Sequence, residues 1–285
     1  MAEAPALLLV GHGSRSSVGV SAYWEFADVV QSEAPQLRLG CGFIELAEPD
    51  LDTAIDQLVV AGATSVVAVP LVLLGAGHMK NDGPAALARA RDRHGAVAFA
   101  YARDLGIHPA PLDVAAERLA AATAGWPIES TAVVVVSRGS SDPDANADLF
   151  KVSRLLWDGR RVEWVEAAFI SLAPPSVPAA LERCRRLGAT RIAVVPYFLF
   201  TGVLVDRIDV QVRAWGTEHP EIEVRTGREL GADRRLARLV LERYREALDG
   251  DVRMNCDCCA YRVALAGYED RVGAPLVIHT HRHGH

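Results

Sequence analysis

Phe43-Ile44-Glu45-Leu46-Ala47-Glu48-Pro49 and Phe169-Ile170-Ser171-Leu172-Ala173-Pro174-Pro175 stand 126 positions apart and share one frame. The same offset holds outward from this pair without a gap. Gly62-Ala63-Thr64 falls on Gly188-Ala189-Thr190, and Val69-Pro70 falls on Val195-Pro196. Nearer the N-terminus, Val10-Gly11-His12-Gly13-Ser14 falls on Val136-Ser137-Arg138-Gly139-Ser140. A constant offset over several separated segments marks a duplicated unit. The chain reads as two copies of one domain, residues 1–125 and 126–250, with an extension over 251–285.

Each copy alternates strand with helix. Residues 6–10, 66–74, 131–136 and 191–199 are apolar runs without polar alternation, the pattern of strands buried on both faces. Residues 51–61 and 177–187 have helical periodicity and stop at Gly62 and Gly188, the usual residue past a helix C-terminus. Strands joined by helices of this length form parallel sheets through right-handed crossovers. The expected fold is therefore α/β, two tandem doubly wound domains of four parallel strands each. Residues 110–124 are expected to close the first copy, 126–130 to link the copies, and 233–248 to form the last helix.

Composition bounds the function. The 285 residues are 50% hydrophobic and 23% charged, which allows a sizeable core. A net charge of −6 argues against a nucleic-acid partner. The longest apolar stretch, 66–77, is broken by Pro70 and falls short of the ~20 residues of a membrane span. No basic flank marks a secretory signal at the N-terminus, so a cytoplasmic protein without membrane association is expected. Three of the five cysteines crowd into Cys256, Cys258 and Cys259, which suits metal or redox chemistry better than a disulfide framework.

In open α/β sheets, ligands bind at the carboxyl ends of the strands. His12 follows the first strand, Glu45 the second and His78 the third. Two imidazoles and a carboxylate in one crevice suit a divalent ion such as Co²⁺, Zn²⁺, Ni²⁺ or Fe²⁺, and accept protons near neutral pH. The repeat is an internal control: the equivalent positions hold Arg138, Ser171 and Leu204. The second copy lacks all three groups, so the trio is assigned to function rather than to folding. Taken singly, each has a plainer reading: a loop or helix-start histidine for His12 and His78, a capping carboxylate for Glu45. The Gly-His-Gly turn also has the form of a phosphate-binding loop, a weak signal by itself. Ser14, Arg15, Lys80, Arg138 and Ser140 are candidate contacts for an anionic substrate, with a solvated loop as the alternative for the second-copy turn. His94, His108 and His219 read as surface or helix-end residues, and Cys41 and Cys184 as small core residues.

Val10-Gly11-His12-Gly13-Ser14-Arg15, Phe43-Ile44-Glu45-Leu46-Ala47-Glu48-Pro49 and Gly77-His78-Met79-Lys80-Asn81-Asp82 resemble the sirohydrochlorin chelatase family, the class II tetrapyrrole chelatases. The resemblance spans both halves, about residues 5–245. It is greatest to the long, duplicated branch that inserts cobalt in cobalamin synthesis, whose tail carries a Met-x-Cys-x-x-Cys motif. Met254, Cys256 and Cys259 match that motif, and Cys258 is extra to it. The resemblance implies a bilobal fold with a cleft, sirohydrochlorin as substrate, Co²⁺ as the metal inserted, and His12, Glu45 and His78 as the metal site. Fe²⁺ and Ni²⁺ remain alternatives. It also implies an iron–sulfur cluster at Cys256 and Cys259, to which Cys258 could add a third thiolate. Common clusters take four protein ligands, so completion is expected across a homodimer or by a non-cysteine group; a zinc site or free thiols is the alternative. Sirohydrochlorin carries eight carboxylates, so the cleft should present Arg15, Lys80, Arg138 and helix N-termini.

The last residues, His279-Thr280-His281-Arg282-His283-Gly284-His285, could collect metal ions loosely or form a polar tail with no task. No Walker-type phosphate loop occurs, consistent with insertion without ATP. Two other classes are open at this stage. A metal-delivery protein would use the same histidines without turnover. A phosphoryl-transfer enzyme would use the Gly-His-Gly turn without metal.

Overall fold

A computed structural model of the chain describes residues 4–250. Strands β1 (Ala6–Gly11), β2 (Leu39–Phe43), β3 (Ser65–Pro70) and β4 (Ala98–Tyr101) form one parallel sheet in the order β2-β1-β3-β4. Strands β5 (Ala132–Ser137), β6 (Trp164–Phe169), β7 (Arg191–Pro196) and β8 (Glu223–Thr226) repeat it as β6-β5-β7-β8. The connecting helices are α1 (Ser17–Glu33), α2 (Leu51–Val60), α3 (Gly77–Arg93) and α4 (Pro109–Ala122) in the first copy. In the second they are α5 (Pro143–Arg160), α6 (Val177–Arg186), α7 (Val203–Glu218) and α8 (Arg234–Asp249). Two four-stranded, doubly wound parallel sheets are what the strand and helix patterns led one to expect. The backbone keeps the duplication closely: Gly13 and Gly139, Leu46 and Leu172, and Gly62 and Gly188 all have positive φ.

Two apolar runs continue past their strands. β3 ends at Pro70 and β7 at Pro196. Leu71, Leu73, Phe198 and Leu199 lie beyond those prolines, and they wall a cleft rather than extend a sheet.

Side chains alternate between two cores. Leu8, Val10, Val66 and Ala68 pack outward under α2 and α3. Val134, Val136, Ile192 and Val194 do the same in the second copy against α6 and α7. Leu7, Leu9, Val67 and Val69 meet Val133, Val135, Ala193 and Val195 in one continuous core between the sheets. The helices in that layer are exchanged. Helix α4 packs on β7 and α5 of the second sheet, whereas α8 packs on β3, β4 and α1 of the first. The expected closing of the first copy by 110–124 is therefore made by α8 instead. Arg118 donates to the Glu229 and Leu230 carbonyls, tying α4 to the second lobe. Arg243, fully buried on α8, donates to the Asp104 and Leu105 carbonyls of the first lobe. Among the described residues no helix is long and apolar enough to cross a membrane.

Candidate metal-insertion cleft

The carboxyl ends of the two sheets open on a shared cleft of about 920 Å³. Small-molecule sites typically occupy roughly 300–1,000 Å³, so this one suits a large ligand. Loops from both lobes line it, with His12 and Arg138 facing each other across it.

His12 is the first residue after β1, and Glu45 the second after β2. The pairing of the two strands runs on into their loops. Ile44 N–H donates to the Gly11 carbonyl at 2.9 Å, and Glu45 N–H to the His12 carbonyl at 3.0 Å. The next residue, Gly13, has φ +96°, and a Cβ there would overlap the Glu45 carbonyl. Only glycine permits so close an approach. His12 Nε2 lies 3.6 Å from Glu45 Oε1, and both side chains are open to the cleft, 27% and 44% exposed. An imidazole lone pair beside a carboxylate can hold a divalent cation and receive protons.

His78 is the second residue of α3, whose N-terminus follows the loop after β3. The backbone therefore brings the third expected residue to a neighbouring strand end, while its side chain lies outside the described residues. Among the described residues no set of three His, Cys, Asp or Glu side chains is assembled for a metal. The pair His12 and Glu45 is what they bring together.

Arg138 and Ser171 repeat the geometry without its chemistry. Ser171 N–H donates to the Arg138 carbonyl at 3.0 Å, as Glu45 does to His12. Arg138 extends across the cleft, with Nη1 3.4 Å from His12 Nε2. Ser14, Arg15 and Ser140 line the cleft as well. Both serines also shape their turns: Ser14 Oγ accepts from Ser16 N–H at 3.1 Å, and Ser140 Oγ from Asp142 N–H at 2.9 Å. Lys80 is placed differently. Its ammonium bonds Asp142 at 2.6 Å and approaches Asp144 at 3.5 Å, so it clasps the first lobe to the second. The bond from Lys80 holds the Asp142 carboxyl below the ordinary carboxylate range, and Asp142 in turn raises the Lys80 ammonium.

One feature escaped the sequence reading, and a second gives the expected helix N-termini their place. Leu46 and Leu172 line the cleft, one from each lobe, although they are 46% and 66% exposed. Their φ values of +64° and +56° are strained for leucine. The signal was present in the opening heptapeptides, which keep Leu in both copies while the acid changes to Ser. The second feature is an absence of caps. Of the eight α-helices among the described residues, six carry a side-chain N-cap, and α3 and α7 do not. Their cap residues, Ala76 and Gly202, line the cleft. Helix N-termini leave N–H donors that favour anions, and these two are open to carboxylates.

The remaining histidines are helix-end residues as expected: His94 and His219 end α3 and α7, and His108 caps α4. Cys184 is buried and Cys41 is half-buried. Met254, Cys256, Cys258, Cys259 and the His-rich tail lie outside the described residues.

Two doubly wound lobes joined by a shared central core, and a histidine–carboxylate pair at strand ends over the cleft between them, define a bilobal α/β protein of the chelatase class. The chain belongs to the CbiX family, whose model matches it twice, at residues 6–122 and 132–247. It is 39% identical to the sirohydrochlorin cobaltochelatase of Priestia megaterium, over 93% of this chain and 87% of that one. It is 30% identical to the sirohydrochlorin ferrochelatase of Bacillus subtilis, over 76% and 82%. Among solved structures, it resembles the sirohydrochlorin chelatase SirB from Bacillus subtilis subspecies spizizenii in complex with cobalt. That match has a TM-score of 0.72 and 28% identity, and it covers 87% of this chain and 96% of SirB.

Proposed function

We propose that this protein inserts Co²⁺ into sirohydrochlorin without nucleotide. The observation that carries the reading is the His12–Glu45 pair at the cleft, lost at the equivalent Arg138 and Ser171 while the fold is kept. The balance of the reaction is simple: one divalent ion enters the ring, and two pyrrole N–H protons leave. His12 Nε2 offers a lone pair to the partly dehydrated ion, and Glu45 offers negative charge beside it. When the ion moves into the ring, the same two groups are free to take the protons and pass them to solvent. His78, at the start of α3, is the proposed third ligand.

The cleft suits a flat polycarboxylate. Leu46 and Leu172 offer apolar contact from opposite lobes. Arg15, Arg138 and the uncapped starts of α3 and α7 offer partners for carboxylates. Lys80 is a positioning clasp in this reading, with substrate contact second to its ion pair. Cobalt is favoured by the relative of 39% identity. Iron is the second reading, favoured by the ferrochelatase relative. Histidine ligands bind Ni²⁺ more tightly than Co²⁺, so selectivity is assigned to metal supply and site geometry.

The test is an anaerobic absorbance time course of sirohydrochlorin with Co²⁺, Fe²⁺ or Ni²⁺, against an enzyme-free blank. Faster cobalt insertion, lost in the His12→Ala/His78→Ala double variant, is the expected result. Acceleration with iron alone moves the protein to sirohaem synthesis. Metal binding without acceleration by any metal refutes catalysis and leaves metal delivery.

The tail is a separate proposal, supported by its Cys pattern alone: Cys256, Cys259 and Cys258 hold an iron–sulfur cluster, completed across a homodimer. These residues follow both repeats in sequence, so the insertion reading does not depend on the cluster. Anaerobic protein without iron and sulfide would sink it. A cytoplasmic setting, without nucleic-acid or membrane partners, is part of the same reading.

A further inference from the structure

We infer that Arg138 guards the metal site and makes metal binding wait for the macrocycle. This rests on the chelatase reading above and adds an order of events to it. His12 and Arg138 occupy the same position in the two copies, on the same turn, facing each other across the cleft. In the first lobe, the neighbouring strand end supplies a carboxylate, Glu45. In the second it supplies only a hydroxyl, Ser171. The Arg138 guanidinium accordingly crosses to the other lobe, where Nη1 stands 3.4 Å from His12 Nε2. The same Nε2 is 3.6 Å from Glu45 Oε1, so it is the nitrogen that shares the candidate metal site.

A guanidinium only donates, so this contact takes the Nε2 lone pair of a neutral imidazole. A divalent ion needs that lone pair. The two cations are mutually exclusive at one atom, and Arg138 also repels an ion approaching Glu45. What removes the guard is in the chemistry of the proposed substrate. A carboxylate bonds a guanidinium with two charge-assisted hydrogen bonds, whereas the imidazole offers one neutral acceptor at long range. A macrocycle carboxylate arriving in the cleft wins Arg138, and Nε2 is released in the same event. The protein alone then holds metal weakly, which prevents tight capture of ions the histidine would otherwise prefer. The coupling is reciprocal: metal on His12 displaces Arg138 and makes it available to a carboxylate.

The experiment compares the full-length wild type, Arg138→Ala, Arg138→Lys and His12→Ala. Calorimetric titration with Co²⁺ alone isolates the His12-dependent binding event by difference, leaving any tail sites common to all. Arg138→Ala is expected to tighten that event roughly tenfold, the factor that removing one cation about 5 Å from a divalent ion gives in water-like surroundings. Arg138→Lys, which keeps the charge, is expected to stay near wild type. In turnover, Arg138→Ala should lower KM for Co²⁺ while raising KM for sirohydrochlorin. A merely structural role would not move the two constants in opposite directions. Unchanged or weaker Co²⁺ binding in Arg138→Ala, with the His12-dependent event present, overturns the guard. Co²⁺ binding that survives intact in His12→Ala overturns the metal site itself, a distinguishable outcome.

Discussion

Replacing Arg243 by Met tests whether the exchanged last helix supports the loop that leads to His78. Arg243 is fully buried on α8. It donates to the Asp104 carbonyl at 3.1 Å, the Leu105 carbonyl at 2.7 Å and Glu246 at 3.0 Å. Glu246 keeps a second partner, Arg103, with bonds of 2.9 and 3.1 Å. The variant therefore removes the Arg243 bonds to two carbonyls, while Glu246 keeps Arg103. Each hydrogen bond from a charged donor contributes about 1.5–3 kcal/mol. Methionine returns part of that through apolar burial, and the net cost comes to about 3–5 kcal/mol, the range for a broken buried pair. At ~2–4 °C per kcal/mol for a chain of this size, Tm should fall by roughly 6–20 °C. The effect should also reach the site. Leu105 N–H donates to the Val72 carbonyl at 2.9 Å, and a Cβ on Gly75 would sit 2.5 Å from Asp104 Oδ2. Segment 104–105 is thus the bed of the loop that leads to His78. Thermal melting by circular dichroism, together with KM for the metal, reads both effects. Arg243→Lys should recover less than half of the loss, since an ammonium cannot span two carbonyls as a planar fork does. A fall in Tm of less than about 2 °C, or lost stability with an unchanged metal KM, would refute the reasoning at its first or second step respectively.

Leu172→Gly removes a strained residue and an exposed apolar contact together. Tm should rise by the equivalent of ~1 kcal/mol, the order of a left-handed penalty, while KM for sirohydrochlorin increases; an unchanged KM argues against macrocycle contact there. Burial pushes the Cys41 thiol up to about 11 and the Cys184 thiol up to about 12. Both are protonated near neutrality, so mass mapping after iodoacetamide at pH 8 should find them unlabelled in native protein and labelled after denaturation. The Arg238 bond lowers the Glu33 carboxyl, and the Arg235 bond lowers Glu117, fastening α1 and α4 to α8. Lowered folded values mean stabilisation present above the ordinary value of about 4.3 and lost as pH falls through the folded ones. The Glu33→Gln/Glu117→Gln variant should therefore melt below wild type at pH 6 and converge with it near pH 2; parallel curves would contradict this.

The duplication was legible because buried parallel strands and glycine stops leave signals that survive a fixed offset. The hydrophobic run over 6–10 gave the strand end that His12 follows, whereas Glu45 and His78 were ordered along the chain without exact strand ends. Pro70 and Pro196 were misjudged as interior to longer strands. The apolar residues after them face a cleft, and a run of leucines does not say whether it covers a sheet or lines a pocket. Lys80 was expected at the substrate and stands on Asp142, a pairing 62 positions apart in sequence.

By itself, then, the sequence determined the repeat, the doubly wound architecture and which copy carries His12, Glu45 and His78. These depend on local periodicity and on residue identity at known strand ends. Tertiary structure alone decided the exchange of α4 and α8 between lobes, the clasp of Lys80 and the meeting of Arg138 with His12. Each of these joins groups far apart in the chain through a contact set by how the two lobes pack, and packing geometry leaves no periodic trace in a sequence.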